Sequence, residues 1–220
     1  MRDLYVAIPG YSSTRINAAY AYGGMDLLDE TLTQNFGVEI DGNVEVDFEV
    51  FQVLVDKVGG IDLELTQAEA DYICGRDQSV LYPQPLRTDW DLQEGMNHLD
   101  GEQALIHARN RSIGNSDYRR TERQQEVLMA AFEKVKDLSA FSIAGLVKDV
   151  LPLVTTDLSF TEIIGYAMDV MSIGTGDIAT YRIPEDGAYT PQTISGMQVL
   201  VPDLEQNRKY LQQVLYHAEA

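Results

Sequence analysis

The pattern of apolar residues in "VEVDFEVFQVLVDKVGGIDLEL", residues 44–65, most narrows what this chain can fold into. Apolar residues alternate over 44–48 and again over 61–65, as they do in half-buried strands. Between these stretches they recur at helical spacing, and Gly59-Gly60 suits the end of a helix. The segment therefore predicts a βαβ unit, and with it an α/β sandwich whose sheet is at least partly parallel.

The remaining periodicity predicts mainly helices. Pro83, Pro85 and mixed polarity over 67–99 favour a long excursion outside the core. No interdomain linker is recognisable, so residues 1–220 are predicted to form one domain. The other predicted elements are helices over 25–35, from Asp100 to Arg109, from Ser116 or Asp117 onward with a buried stripe of Leu128, Ala131, Val135 and Leu138, over 140–153, over 161–171 and over 204–216, and a strand over 178–183. Asp100 with Gln103, and Ser159 with Glu162, have the spacing of capping boxes at the starts of two of these helices.

An arginine cluster stands out against the acidity of the chain. Five arginines lie between residues 109 and 123, whereas the formal net charge of the 220 residues is -19. Only Asp117 and Glu122 oppose them within that stretch. Binding of nucleic acid over a broad surface needs positive charge distributed over that surface, so a single small positive cluster on an acidic chain excludes it. The cluster instead indicates binding of a small anion at one place.

The type of cation and its position favour phosphate as that anion. Arg119, Arg120 and Arg123 fall in the first turns of a predicted helix, where the helix dipole disfavours cations. The same helix start offers free backbone N–H groups, and guanidinium forks match phosphate oxygens in pairs, as lysine does not. The alternative is a solvated loop whose arginines pair with surface carboxylates, and charge pattern alone leaves both interpretations open.

Five ordered motifs then carry a resemblance to a known family. These are "RDLYVAIPG", "RINAAYAYGG", "VEVDFEVFQVLVDKVGGIDLEL", "LDGEQALIHARNR" and "DYRRTERQQ", followed by a similar C-terminal segment. In this order they resemble the LytR-CpsA-Psr family of cell-wall glycopolymer ligases. The resemblance implies a three-layer α/β/α sandwich around a central mixed sheet, with an apolar pocket for a polyprenyl chain and an arginine-rich mouth for its pyrophosphate.

The resemblance also assigns residues to this site. The residues implied to bind pyrophosphate are Arg2, Arg15, Arg109, Arg111, Arg120, Arg123 and Gln124. Those implied to take part in catalysis are Arg111, Arg120, Asp117 and Asp3. Either aspartate would accept a hydroxyl proton or orient an arginine, and orientation is favoured for Asp117 because nearby guanidinium groups would weaken it as a base. Arg119 stands where many members have glycine, so no role is carried over to it.

The implied reaction moves a glycopolymer of the teichoic acid or capsule kind from an undecaprenyl-pyrophosphate carrier to a peptidoglycan hydroxyl. Family members resemble one another in using magnesium on the extracytoplasmic face of the cell membrane. They carry a transmembrane helix, two strands and acidic metal ligands ahead of the Arg-Asp motif. We therefore expect the sheet to lack its front strands, and the anchor and the Mg²⁺ ligands to lie upstream of these residues. The alternatives are a non-catalytic module that binds polyprenyl phosphate or an anionic glycan, and a lipid pyrophosphatase.

Overall fold

A computed structural model describes residues 3–114, 117–172 and 179–216, without the side chains of residues 117, 118 and 170. The chain folds into two compact units. The terminal unit comprises Met1–Asn43 and Ala179–Ala220, and the central unit comprises Val44–Ile178. The prediction of one domain over residues 1–220 stays a prediction.

The described residues form short strands and longer helices. The strands are β1 (Tyr5–Val6), β2 (Thr14–Arg15), β3 (Val44–Glu45), β4 (Ile61–Leu65), β5 (Gly95–Leu99), β6 (Thr155–Thr156), β7 (Tyr189–Ile194) and β8 (Met197–Pro202). The helices are α1 (Asn17–Phe36), α2 (Phe48–Lys57), α3 (Gln67–Ile73), α4 (Gly101–Arg109), α5 (Asp117–Lys136), α6 (Ala140–Val150), α7 (Phe160–Ser172) and α8 (Leu204–Tyr216).

The predicted strand-helix-strand order of residues 44–65 is confirmed, but its expected parallel pairing is wrong. β3 pairs antiparallel with β6, and β4 pairs antiparallel with β5. The alternating residues of β4 nevertheless bury one face as predicted, with Ile61, Leu63 and Leu65 in the core. Hydrophobic alternation fixes which face of a strand is buried, whereas the direction of its neighbour depends on chain segments far away in sequence.

The long excursion predicted over 67–99 contains two regular elements at its ends. α3 begins with a capping box in which Thr66 and Glu69 bond each other's backbone N–H groups. β5 closes the segment and pairs with β4 from Gly95 to Leu99. The irregular part is therefore limited to residues 74–94, where the backbone N–H of Arg87 donates to the carbonyl oxygen of Cys74.

The buried face of α5 differs from the predicted stripe. Leu128 is 66% exposed, whereas Val127 is 2% exposed and packs into the core of the central unit. Ala131, a member of the predicted stripe, is partly buried against the same core. The predicted stripe is therefore one residue out of phase at Leu128, and Arg123, one turn before Val127, lies on the same buried face as Val127.

α4 packs closely on α2, and Gly101 allows the close approach. The Gly101 N–H donates to the Asp56 Oδ1 at 2.7 Å. A Cβ at Gly101 would overlap the carbonyl oxygen of Gln52 and lie 2.7 Å from its carbonyl carbon. Because these are backbone atoms of α2, they cannot move aside without shifting the helix.

We expect Gly101→Ala to destabilise the chain by about 1–3 kcal/mol, the usual cost of overpacking. Gly145→Ala is the matched control, because no atom lies within 4 Å of its added Cβ and the residue is in α6. Alanine should there leave stability unchanged or raise it by up to about 1 kcal/mol, through its higher helix propensity. Urea unfolding of both variants measures the difference, and equal midpoints would contradict the account of this contact.

The terminal unit joins two hairpins. β1 pairs with β2 and β7 with β8, both antiparallel, and a parallel bridge connects Leu4 to Leu200. The strand predicted over 178–183 is wrong for its described part, because residues 179–183 form no strand. The strand pair lies further on and turns at Ser195-Gly196, both with positive φ, a dipeptide typical of a two-residue hairpin turn.

Helices complete the terminal unit. The helix predicted over 25–35 is confirmed as the second segment of α1, which a kink at Gly23 and Gly24 separates from residues 17–22. α8 has the bounds predicted for it. Among the residues that the structure describes, no helix combines the length and the apolar character needed to cross a bilayer.

Candidate functional site

The arginine cluster of the central unit lies where α4 ends and α5 begins. The predicted capping box of α4 is present, since the Gln103 N–H donates to Asp100 Oδ1 at 2.9 Å and the Asp100 N–H to Gln103 Oε1 at 3.0 Å. α4 ends at Arg109, and Arg111 follows on the short loop before α5. Local capping thus fixes the helix whose last turn presents the first arginine of the cluster.

Asn110 shapes the loop that carries Arg111. Its side chain is buried, and its Oδ1 accepts the backbone N–H groups of Ser112 at 2.9 Å and Ile113 at 3.1 Å. Asparagine side chains commonly stabilise turns in this way. The loop after α4 therefore has a defined conformation, in which Arg111 itself is exposed.

Arg123 ties this loop to the core of the central unit. Its side chain is 1% exposed, and its Nε donates to Glu69 Oε1 at 2.9 Å. The same guanidinium donates from Nη1 to the Asn110 carbonyl oxygen at 3.3 Å and from Nη2 to the Ile113 carbonyl oxygen at 3.0 Å. The buried guanidinium of Arg123 thus connects α3 and α5 to the loop residues on both sides of Arg111. The resemblance implies pyrophosphate binding by Arg123, and this stays a prediction; in the structure, protein acceptors hold its guanidinium.

Glu69 serves two elements at once. Its Oε2 closes the capping box of α3 by accepting from the Thr66 N–H at 3.1 Å and the Thr66 hydroxyl at 2.8 Å, while Oε1 faces Arg123. Burial alone would raise the pKa of the Glu69 carboxyl, but the donors of Thr66 and Arg123 outweigh it and hold that pKa below its ordinary value. The charged carboxylate is therefore the form that this structure stabilises.

The lowered pKa of Glu69 predicts an acid-sensitive contribution to stability. Because the folded pKa lies below the unfolded value of about 4.3, this contribution is complete above the unfolded value and is lost as pH falls through the folded one. Glu69→Gln has no carboxyl group to titrate at this position, so it does not lose this contribution as the pH falls. The difference in unfolding free energy between the parent and the variant should therefore shrink as the pH falls from about 6 to about 3. Urea unfolding across this range tests the idea, and a deficit that stays constant or grows would contradict it.

Arg109 lies against an aromatic ring. Its guanidinium carbon is 4.1 Å from the ring centroid of Phe48, the first residue of α2. A guanidinium stacked on a ring face keeps its N–H groups in its own plane, directed away from the ring. Arg109 is thus oriented by a contact that leaves hydrogen-bond donors for an anion.

The first turns of α5 add Arg119, Arg120 and Gln124. Arg119 is exposed and pairs with Glu122 at 2.7 Å, the surface pairing that the alternative interpretation expected. The Glu122 carboxylate raises the pKa of Arg119. Arg120 is half-buried and Gln124 is exposed. Four of the predicted residues, Arg109, Arg111, Arg120 and Gln124, therefore keep exposed or half-exposed side chains around the loop that Arg123 anchors.

Two other predicted residues lie in the terminal unit. Arg15 Nε is 3.4 Å from Asp3 Oδ1, and its Nη2 donates to the Gln198 carbonyl oxygen at 2.8 Å. Asp3 thus pairs with Arg15, and the catalytic role that the resemblance implies for it stays a prediction. Arg2 and the side chain of Asp117 lie outside the described residues.

A buried histidine reinforces the connection between α4 and α5. His107 is fully buried in the last turn of α4, and its Nε2 lies 3.3 Å from Glu126 Oε2. This contact lowers the pKa of the Glu126 carboxyl. His107 thus contributes to the packing of α4 and to one side-chain contact with α5.

The carboxylates around the cluster are engaged with protein groups. Glu69 pairs with Arg123, Glu122 pairs with Arg119, and Glu126 contacts His107. Within the described ranges, no group of three or more His, Cys, Asp or Glu side chains is arranged to hold a metal ion. The predicted Mg²⁺ dependence, with ligands upstream of these residues, stays a prediction.

Sequence reasoning missed Glu69 and Asn110. The signal for Glu69 was present, because "TQAE" has the spacing of a capping box, like the stretch at Asp100. Its pairing with Arg123 spans 54 residues and left no local signal. The signal for Asn110 is its position directly after a helix, where asparagine often forms a side-chain turn.

Comparison with known proteins finds a matching family and several curated relatives. The model of the LytR_cpsA_psr family matches residues 1–213. The chain is 30% identical over 192 residues to the polyisoprenyl-teichoic acid–peptidoglycan teichoic acid transferase TagT of Bacillus subtilis, covering 86% of this chain and 57% of TagT. It is 29% identical over 195 residues to the regulatory protein MsrR of Staphylococcus aureus, covering 86% of this chain and 54% of MsrR. The chain thus spans little more than half the length of these curated relatives.

Solved structures show the same fold. The crystal structure of B. subtilis TagV matches with a TM-score of 0.74 and 28% identity, covering 99% of this chain and 82% of that chain. A structure of TagT bound to LIIa-WTA matches with a TM-score of 0.73 and 27% identity, covering 98% of this chain and 77% of that chain. These likenesses confirm the predicted α/β fold class, which is built here from small sheets.

Proposed function

The chain belongs to the LytR-CpsA-Psr family, and from this premise we propose that it is a phosphotransferase that moves a glycopolymer from a polyprenyl-pyrophosphate carrier to a hydroxyl of peptidoglycan. The names of its relatives support a transferase, since TagT and a TagU from Enterococcus faecalis, the latter 33% identical over 176 residues, are both described as teichoic acid transferases. Undecaprenyl pyrophosphate as the carrier and the extracytoplasmic face of the membrane as the location are parts of the same proposal.

The observation that carries the proposal is the anchored loop between α4 and α5. Buried Arg123 bonds the loop at Asn110 and Ile113 and is itself fixed by Glu69. Arg111 lies between these anchor points with an exposed side chain. A positive charge on a preorganised loop can stabilise charge that develops in a transition state without reorganising first. A solvated loop that merely balanced surface carboxylates would not need a buried cation beneath it.

The proposed reaction is one phosphoryl transfer. The acceptor hydroxyl attacks the phosphorus nearest the glycan, and the bond from that phosphorus to the bridging oxygen breaks. The polyprenyl monophosphate leaves with the bridging oxygen, and the acceptor becomes joined to the glycan by a phosphodiester. The hydroxyl proton passes to a base or to solvent. Catalysis of such a step consists largely of positioning and charge stabilisation.

The described arginines divide into two roles. Arg109, Arg111 and Arg120 are proposed to contact the pyrophosphate, with Gln124 as a neutral donor beside them. Arg123 is proposed to position this loop, since its guanidinium is buried among protein acceptors. Arg15, which pairs with Asp3, keeps the pyrophosphate-binding role that the resemblance implies. Arg2 and Asp117 keep the pyrophosphate-binding and orienting roles that the resemblance implies.

Magnesium stays part of the proposal only through the family resemblance. A bound Mg²⁺ would neutralise phosphate charge in the reaction. No step is assigned to it, because the carboxylates near the arginine cluster are paired with protein groups. Titration of activity with Mg²⁺ and with EDTA tests the dependence directly.

A donor labelled in both its glycan and its lipid tests the proposed function. Incubated with the chain and purified peptidoglycan, it should yield glycan label in the insoluble wall and lipid label as polyprenyl monophosphate. Release of polyprenyl phosphate without an acceptor would indicate a pyrophosphatase instead. Saturable binding of the donor with no product would indicate a binding module. Either result would overturn the transferase proposal.

A further inference from the structure

An exposed pair of stacked tyrosines lies in the terminal unit. The ring centroids of Tyr11 and Tyr22 are 4.8 Å apart, with an angle of 24° between the ring planes. Tyr11 is 53% exposed and Tyr22 50% exposed, so each keeps about half of its surface in contact with solvent. Single exposed aromatic residues are common, but two stacked rings cover one face of each other and leave their outer faces and polar edges exposed together.

The turn that carries Tyr11 is fixed to the core. Tyr11 follows Gly10, whose φ is 76°, and the Tyr11 N–H donates to the Ile8 carbonyl oxygen at 3.0 Å. Ile8 is 2% exposed, and the neighbouring strand residue Val6 is 3% exposed. The segment belongs to the connection between β1 and β2, the strand pair that ends in Arg15.

Tyr22 is fixed by the interruption of α1. It is the last residue before Gly23 and Gly24, and Gly24 has φ 67° and ψ -152°. This backbone region is essentially restricted to glycine, and such strained positions cluster at functional sites. Ala19, one turn before Tyr22, is fully buried, so the short first segment of α1 is anchored as well. Both rings therefore sit on backbone whose conformation is set independently of any ligand.

We infer that Tyr11 and Tyr22 form a platform for the sugar rings of a peptidoglycan glycan strand, the acceptor side of the reaction. This inference rests on the proposed function for its choice of ligand. Pyranose rings present a face of C–H groups that packs on aromatic rings, while the tyrosine hydroxyls can bond the sugar hydroxyls. Tyrosine loses little conformational entropy on binding, because it has only two side-chain torsions. The open, exposed pair suits an extended polymer that is approached from outside.

The test measures binding of the 220-residue chain to purified peptidoglycan sacculi freed of attached polymers, by co-sedimentation. Tyr22→Leu keeps apolar bulk but removes the ring, and Tyr11→Leu does the same on the other side. Each should weaken binding by about three- to tenfold, the effect of losing one aromatic contact. Tyr22→Phe, which keeps the ring, should bind within about twofold of the parent.

Tyr216→Leu is the matched control, because Tyr216 is a tyrosine of the same unit with 53% exposure. It should bind sacculi like the parent. Parent-like binding by both Tyr22→Leu and Tyr11→Leu would overturn the inference. The inference would also be overturned if the two leucine variants bound sacculi like the parent but had a raised KM for the lipid-linked donor. That result would assign the platform to the donor glycan.

The inference and the proposed function can fail separately. Tyrosine-dependent sacculus binding by a chain that transfers no glycopolymer would support the platform and refute the transferase. Transfer that depends on Arg111 but not on either tyrosine would support the transferase and refute the platform. Pyrophosphate binding by calorimetry provides a further readout, which the tyrosine substitutions should leave unchanged.

Discussion

Replacing Arg111 by glutamine is expected to lower the rate of glycopolymer transfer by about 100-fold or more, the usual effect of removing one preorganised charge-stabilising donor. The free energy of unfolding should stay within about 0.5 kcal/mol of the parent value, as for other exposed sites. The reason is that Arg111 is exposed, while its loop is held by Asn110 and Arg123. Transfer of a labelled lipid-linked donor and urea unfolding measure the two effects on the same preparation.

Arg87→Gln is the control for this substitution. Arg87 also belongs to the central unit, but its guanidinium pairs with Glu102 in the first turn of α4, at the opposite end of that helix from Arg109. Transfer by this variant should stay within about twofold of the parent rate. Parent-like turnover by Arg111→Gln, or an equal loss of rate in Arg87→Gln, would refute the role proposed for Arg111.

The second large effect is expected from Arg123→Met, which should destabilise the chain by about 3–5 kcal/mol. The substitution preserves most of the side-chain volume but leaves the buried carboxylate of Glu69 without its cation. It also removes the donors to the carbonyl oxygens of Asn110 and Ile113, so the loop around Arg111 loses its anchor. Transfer activity should therefore fall even at temperatures where the variant remains folded.

Arg119→Met is a closely matched control, because Arg119 lies one helical turn earlier in α5 and also pairs with a glutamate. Both members of this pair are exposed to solvent, at 44% of the Arg119 side chain and 43% of the Glu122 side chain. Exposed pairs contribute about 0–1 kcal/mol, so this variant should unfold close to the parent. If the two variants lose equal stability, the burial of the Arg123–Glu69 pair does not explain its contribution to the free energy of unfolding.

The comparison of Arg119 with Arg123 also shows why charge pattern alone left two interpretations open. The two arginines lie four residues apart on one helix, and the charge pattern treats them alike. In the structure Arg119 is an ordinary surface pair, whereas Arg123 is 1% exposed and anchors the loop of the candidate site. The solvated-loop interpretation thus describes Arg119, neither interpretation describes the buried Arg123, and phosphate binding by the other arginines stays a prediction.

The sequence by itself determined the elements whose signals are local. The capping boxes at Asp100 and Ser159 are both present, the latter with the Ser159 N–H donating to Glu162 Oε2 at 2.8 Å. A capping box consists of hydrogen bonds between two residues three positions apart, so a short stretch of sequence contains every group that forms it. The same holds for the break of α1 at Gly23-Gly24 and for the bounds of α8. The motif order also identified the family.

The tertiary structure decided the strand partners and the environment of each charge. β4 pairs with β5 across the irregular segment 74–94, and Arg123 meets Glu69 across 54 residues. Such contacts depend on where the whole chain places two segments, and no spacing within a window encodes that. A guanidinium is tolerated in a core only where a carboxylate and carbonyl oxygens satisfy its donors. Whether an arginine of this cluster faces an anion or the protein interior is therefore a property of the folded neighbourhood, which the sequence specifies only as a whole.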